Sequence, residues 1–280
     1  MGEQQTLTSG QKWTHSTALL GLCLVAIAPS ISTITGFIFQ AGMIAVFVFI
    51  FTKLWIFGLP AFWHLKVEGK PASWSKPAQG GWLVSLGLGL GMMVFIIGAY
   101  LLLGDLMIDK TTMTELIEPV GLTTASTLAG AIFFWVFVNS VLEEYVYRWF
   151  ITSKIEEILG GKWRAIFLSA GVFTVHHTIA LMMFISPLGT FIASLGVFIG
   201  GAIFSWIYLQ YRSIWVAWVA HACADVAVFG IAWPVSSQPR STKIRKMLCF
   251  TPKSRATTLN FFSTAAFGST AAFDASSDQL

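Results

Sequence analysis

Phe133-Phe-Trp-Val-Phe-Val-Asn-Ser-Val-Leu-Glu143-Glu144-Tyr-Val-Tyr-Arg148 is an apolar run that ends in two adjacent carboxylates and an arginine. An ionised side chain at bilayer depth costs about 2.5 to 3.5 kcal/mol on insertion scales, so charges kept there face a partner or a cavity and mark function. The composition around this run makes the membrane its setting. Of 280 residues, 55% are hydrophobic and 11% charged, against about 25% charged in a soluble domain, and mean hydropathy is +0.73. The expected fold is all-α: a polytopic transmembrane helical bundle with an intramembrane polar cavity, in an integral, multi-pass membrane protein whose first partner is the lipid bilayer. Tryptophans such as Trp55, Trp63, Trp82, Trp149, Trp163 and Trp233 fall where apolar runs end, as interfacial belts do.

At about 20 apolar residues per span, spans fall near 17–35, 37–59, 82–104, 126–148, 163–184, 188–209 and 212–233, about seven in all. Pro29, with Ser30, Ser32 and Thr33 beside it, kinks or ends the first span. The loop Gly58 to Gly81 carries His64, Lys66, Lys70 and Lys76 against Glu68, whereas Asp105 to Glu118 carries Asp105, Asp109, Glu115 and Glu118 against Lys110. The first is then cytoplasmic and the second external. Arg148 to Arg164, with Lys154 and Lys162, and the link at Arg212 repeat the basic sign, which places the N-terminus inside. Seven spans put the C-terminus outside although Arg240, Lys243, Arg245, Lys246, Lys253 and Arg255 lie there, so the charge rule and the span count conflict at the tail.

Three regions follow: N-terminal helices and loops over 1–125, a polar-bearing core over 126–235, and a Ser-, Thr- and Ala-rich tail over 236–280 that is expected to be disordered. The two early spans read as an apolar hairpin separate from the core. Cys23, Cys223 and Cys249 are far apart without CxxC spacing, which indicates free thiols. The net charge of +4 is small and lies mostly in loops and tail, which gives no sign of nucleic-acid binding. The N-terminus lacks the order of a signal peptide, so the first run is expected to be retained. Met1 to Thr6 match a myristoylation pattern only weakly, and the chain does not end in a CaaX box.

Helical spacing sorts the charged motif. Glu144 and Arg148, at i,i+4, share one face, while Glu143 points about 100° away and neighbours Tyr147. One glutamate is tied to the arginine, and the other is left free to act as a general base. Phe173-Thr-Val-His176-His177 supplies two histidines that diverge by about 100°, so one of them faces a given cavity, and His177 is the expected one. His221-Ala-Cys-Ala-Asp225 puts an imidazole and a carboxylate on one face, a spacing that orients a histidine, binds a metal or relays protons. Each buried polar group needs a partner, and these three sets are the ones available to one another.

Glu143-Glu144-x-x-x-Arg148, then Phe173-x-x-x-His177, then His221-x-x-x-Asp225 resembles, in this order, the CPBP family of intramembrane endopeptidases, which includes type II CAAX prenyl proteases and bacteriocin-processing or bacteriocin-immunity proteins. The resemblance covers about residues 126–230. It implies an all-helical fold with a conical, water-accessible cavity open laterally to lipid, and peptide-bond hydrolysis by water activated by Glu143 and His177. It further implies that His221 and Asp225 stabilise the oxyanion, with Glu144 and Arg148 in support and His176 at no required position. Two features depart from the family. Members commonly continue with another helix after the third motif, where this chain enters a polar tail. The family also more often has asparagine at the position of Asp225, and an ionised carboxylate can only accept hydrogen bonds; direct donation by a protonated Asp225 is the expected role.

The function expected is an intramembrane endopeptidase acting on a membrane-anchored, possibly prenylated, peptide or protein. The alternative is a catalytically silent bacteriocin-immunity or membrane scaffold protein of the same family. A transporter reading lacks the paired interrupted helices or repeated halves that would favour it. Glu143, His177 and His221 also make the His₂Glu set of a catalytic zinc site, so the cofactor expectation is a divalent metal such as zinc or none.

Overall fold

The computed structural model describes residues 9–35, 39, 43–108 and 124–236, with side chains between 16 and 231 of these ranges. The myristoylation match, Asp109, Lys110, Glu115 and Glu118 of the acidic loop, Cys249 and the tail expected to be disordered all lie outside the described residues. Among the described residues every regular element is a helix, and seven stretches are long and apolar enough to cross a bilayer. In chain order the helices are α1 (Ser9–Ala26), α2 (Ala28–Thr33), α3 (Met43–Val67), α4 (Trp82–Met107), α5 (Ala125–Leu159), α6 (Lys162–Leu181), α7 (Pro187–Tyr211) and α8 (Ile214–Ser236). The break expected at Pro29 is present: α1 stops at Ala26, and Pro29 sits in the first turn of α2, where its missing N–H leaves no bond unmade.

Helix α5 positions the site, and it is longer than its hydropathy suggests. It runs 35 residues, past Arg148 to Leu159, because Phe150, Ile151 and Ile155 still have a core to enter. This extension removes the mismatch in depth that a helix ending at Arg148 would leave between Glu143 and His177. Nor is α5 a uniform α-helix. Trp135–Asn139 and Glu144–Thr152 are π-helical, with i→i+5 bonding of the kind that appears in short stretches at functional sites. Side chains supply extra partners to the backbone there. The Val136 carbonyl accepts from Trp218 Nε1 at 3.1 Å and from the Ser140 hydroxyl, and Thr152 Oγ1 donates to the Tyr147 carbonyl at 2.8 Å.

The three basic connections meet at one end of the bundle. Lys154 of α5 pairs with Glu68 and Glu157, and Lys70 with Glu68 at 2.8 Å. Arg212 grips Glu156 through both guanidinium nitrogens at 2.7 and 2.9 Å. Burial pushes the Glu68 carboxyl up, but the hydrogen bonds from Lys154 and Lys70 outweigh this and hold it below the ordinary 4.5. At the opposite end the α6–α7 turn closes on α4, with Ser186 N donating to Met107 O at 2.9 Å.

The early spans are not a separate hairpin, which corrects that expectation. Val25, Ala28, Ile56 and Trp63 share one core with Val146, Phe150, Ile166, Phe204 and Val216, because α5 is long and apolar enough to pack on both sides. Tyr145 of α5 donates to the Phe57 carbonyl of α3 at 3.0 Å, and Trp55 Nε1 to the Leu24 carbonyl of α1 at 2.9 Å. Helix α4 presents Leu83, Val94, Phe95, Leu101 and Leu102 outward, which suits lipid contact. Its inward stripe is small. A Cβ on Gly89 would lie 2.9 Å from Ala220 Cα and Cys223 Cβ, so only glycine allows α4 to come this close to α8.

Candidate active site

The six residues expected to form the site come together from three helices: Glu143, Glu144 and Arg148 on α5, His177 on α6, His221 and Asp225 on α8. His221 is the hub. Its Nδ1 meets Glu144 Oε1 at 2.8 Å, while its Nε2 lies 3.7 Å from Glu143 Oε2 and 3.7 Å from Asp225 Oδ1. Phe204 stacks on the imidazole at 4.6 Å between centroids. The turn of α8 that presents it is braced by Ser85 of α4, whose hydroxyl donates to Val216 O and accepts from Ala220 N at 3.2 Å.

Access is graded across this cluster. The Glu144 and Arg148 side chains are 0% and 1% exposed and His221 is 6% exposed, whereas Glu143 and Asp225 are 19% and 21% exposed. Glu143 and Asp225 are therefore the carboxylates that an incoming molecule or a water can reach; Glu144 is sealed behind them. Arg148 Nε lies 3.5 Å from Glu144 Oε2, as the i,i+4 spacing requires. Its guanidinium carbon stands over the Phe173 ring at 4.3 Å and the Phe204 ring at 5.1 Å. Arg148 thus ties α5 to α6 and α7 with a cation held against two aromatic faces.

Glu143 is free of the arginine and is aimed by Asn139, one turn earlier, whose Nδ2 donates to Oε1 at 2.8 Å. His177 Nδ1 bonds to the Phe173 carbonyl at 2.8 Å. A carbonyl only accepts, so this nitrogen carries the hydrogen and Nε2 of the neutral ring is left as the acceptor. The expectation that His176 faces elsewhere is corrected. Its ring lies 4.0 Å from that of His177, and both histidines and Glu143 offer ligand atoms within 4.8 Å of one another. Adjacent side chains leave a helix about 100° apart, but Glu143 reaches the angle between them. Tyr147 holds His176 there, with OH and Nδ1 at 2.9 Å and the rings parallel at 5.2 Å. The three atoms that converge as a metal-binding group are therefore on Glu143, His176 and His177, with His221, which the sequence suggested, outside the group.

Sequence reasoning missed Asn139, Tyr147 as a partner of His176, Ser85 and Lys53. Asn139 was findable, since it stands at i−4 from Glu143. Lys53, a half-buried lysine within α3, interacts electrostatically with Glu143 and His176; its signal was a lone charge inside an apolar span. Ser85 and Tyr147 act across sequence separations of 131 and 29 residues and carry no local mark.

No curated protein and no solved structure matches the chain. Residues 125–227 match the family model described as "Type II CAAX prenyl endopeptidase Rce1-like". That interval opens at the start of α5, includes α6 and α7, and closes two residues past Asp225, so it contains all six converging residues and omits α1 to α4. Through this segment the chain belongs to the CPBP family of type II CAAX prenyl endopeptidases.

Proposed function

We propose that the protein is an intramembrane endopeptidase that hydrolyses a peptide bond of a membrane-associated, prenylated or otherwise lipid-anchored substrate. The observation that carries this reading is the convergence of a reachable carboxylate, Glu143, with an imidazole whose Nε2 is the accepting nitrogen, His177. A water between them loses a proton to Glu143 as its oxygen attacks the carbonyl carbon, with His177 Nε2 holding the second hydrogen. The oxyanion is met by His221 Nε2 acting as a donor in the imidazolium form, which Glu144 at Nδ1 and Asp225 beside Nε2 both favour. When the tetrahedral intermediate collapses, Glu143 returns its proton to the leaving amine. Sealing Glu144, Arg148 and the rear of His221 from solvent strengthens these electrostatic interactions.

The geometry supports Asp225 as counter-ion to His221 more than as a direct donor, since its Oδ1 faces the same nitrogen at 3.7 Å. The test is cleavage of a fluorogenic prenylated peptide by the purified full chain. Glu143→Gln and Glu143→Ala are expected to lower turnover by up to about 10⁴-fold, as loss of a general base does. Retention of more than a tenth of the parent rate by folded Glu143→Gln would overturn the assignment. Binding without cleavage by the parent would move the protein to the immunity or scaffold class.

A second reading rests on the trio within 4.8 Å. Glu143, His176 and His177 fit a divalent ion such as zinc, which prefers imidazole and carboxylate ligands and when bound polarises a carbonyl as a Lewis acid. Stoichiometric metal lost together with activity on chelation would support it. Full activity in metal-free protein would exclude it.

A further inference from the structure

Lys53 stands in α3, outside the segment that matches the family. It is ten residues past Met43 and fourteen before Val67, about 15 and 20 Å along the helix axis at 1.5 Å per residue. Neither interface is within snorkelling reach of a lysine at that depth, so lipid headgroups do not neutralise it. Among the described residues no carboxylate lies within ion-pair distance of its ammonium. What surrounds it are the rings of Phe49 and Phe57, 5.5 and 5.9 Å from Nζ. Glu143 is near enough to interact through space, but its Oε1 is held by Asn139 and its Oε2 faces His221. The backbone that carries Lys53 is fixed on both sides, by Trp55 on the Leu24 carbonyl and by Tyr145 on the Phe57 carbonyl. A cation fixed at bilayer depth without a counter-ion is costly to keep and points to an anion that arrives from outside.

We infer that Lys53 is an anion-receiving subsite beside the catalytic carboxylate, and that its ligand is the free C-terminal carboxylate of the peptide that Glu143 cleaves. This rests on the peptide-hydrolase reading and adds to it which end of the peptide enters. The amide backbone of a peptide lying over Glu143 is neutral. Its C-terminus is the one anion that every unmodified peptide carries, and an acidic side chain near that end is the other source of the same chemistry. Phe49 and Phe57 flank the ammonium and leave the side towards Glu143 for the ligand. A C-terminal carboxylate at Lys53 also places the preceding peptide bonds next to the general base, since each residue of extended chain spans about 3.4 Å.

The test uses the full chain in nanodiscs and one prenylated, fluorescent peptide in three forms: free C-terminal carboxylate, C-terminal amide, and C-terminal amide with glutamate as the last residue. Binding is measured by anisotropy on Glu143→Gln protein, so that hydrolysis does not consume the probe. The carboxylate form is expected to bind about 10- to 100-fold more tightly than the amide, the scale of one charge-assisted hydrogen bond. Lys53→Met, added to Glu143→Gln, should bring both forms to the weaker constant, and Lys53→Arg should keep most of the preference. Because methionine is at home in an apolar span, its variant is expected to fold. Recovery of tight binding by the glutamate-ended amide would identify the carboxylate, rather than the terminus, as the ligand, overturning the C-terminal assignment. Equal binding of carboxylate and amide, or an equal loss of both in Lys53→Met, would overturn the subsite itself. Preferential binding of the carboxylate with no cleavage by the parent would uphold the subsite while the hydrolase reading fails.

Discussion

Glu144→Gln tests whether the sealed ion pair holds the site together. Glu144 Oε2 and Arg148 Nε are 3.5 Å apart, and at an effective dielectric of about 20 the attraction is roughly 5 kcal/mol before desolvation. Glutamine keeps an oxygen that can accept from His221 Nδ1, but its other end is a donor and meets the guanidinium, which has only donors. Arg148 is then a buried cation without an anion, a loss that costs about 3 to 5 kcal/mol. The Phe173 and Phe204 faces at 4.3 and 5.1 Å remain and retain about 2 kcal/mol of attraction, so a cost near 3 kcal/mol is expected, over a hundredfold in the folding equilibrium. Glu144→Gln combined with Arg148→Met removes both charges and should be more stable than Glu144→Gln alone. The assay is SDS titration of the chain in mixed micelles, followed by tryptophan fluorescence, for the parent, both single variants and the double. Costs that add without coupling would refute the pair as a unit. In the same set, turnover per folded molecule should fall less for Glu144→Gln than for Glu143→Gln.

His177→Ala should abolish cleavage, while His176→Ala, which Tyr147→Phe should resemble, leaves most of it; initial rates on folded protein check this, and the opposite ranking would transfer the water-holding role to His176. Asp225→Asn removes a charge beside His221 and should cost about 10² to 10³-fold, the scale of a lost oxyanion donor; a pH–rate profile from about 6 to 9 that matches the parent would restore direct donation by this position. Glu68 has its folded pKa below the ordinary 4.5, so its stabilising contribution is full above that pH and fades as pH falls through the lower folded value. Acid unfolding monitored in the parent and in Glu68→Gln should therefore differ less at strongly acidic pH than at pH 7, and an unchanged difference would remove Glu68 from the lock around Lys154.

The spans were legible because lipid demands long apolar runs, and the pairing of Glu144 with Arg148 was legible because i,i+4 is a local rule. Register across helices was not. That Glu144 also holds His221, 77 residues away, depends on how α5 and α8 cross, which no local pattern encodes. The two π stretches carry no signature of their own, since their residues are as apolar as those of the α-helix around them. Treating α5 as a uniform α-helix therefore ended it too early. Lys53 was legible in principle: a lone lysine in an apolar run obeys the same cost argument as Glu143, and it was overlooked because the histidines and carboxylates of the later spans offered one another as partners.

A π turn is an α-helix that holds a residue in excess, and Glu144–Thr152 lies between the catalytic carboxylate and the end of α5 at Leu159. Deleting one residue from this stretch would let it relax into α geometry and swing everything before it by about 100° relative to Ser153–Leu159. Glu143 would leave His177 although hydropathy, span count and every motif residue stayed the same. Two homologous chains could thus carry identical motifs and differ in chemistry through a single insertion or deletion, and an alignment that closes a gap between Glu144 and Thr152 would conceal the difference. Among relatives of this chain, the number of residues between those two positions is as much a mark of activity as the identity of the glutamates.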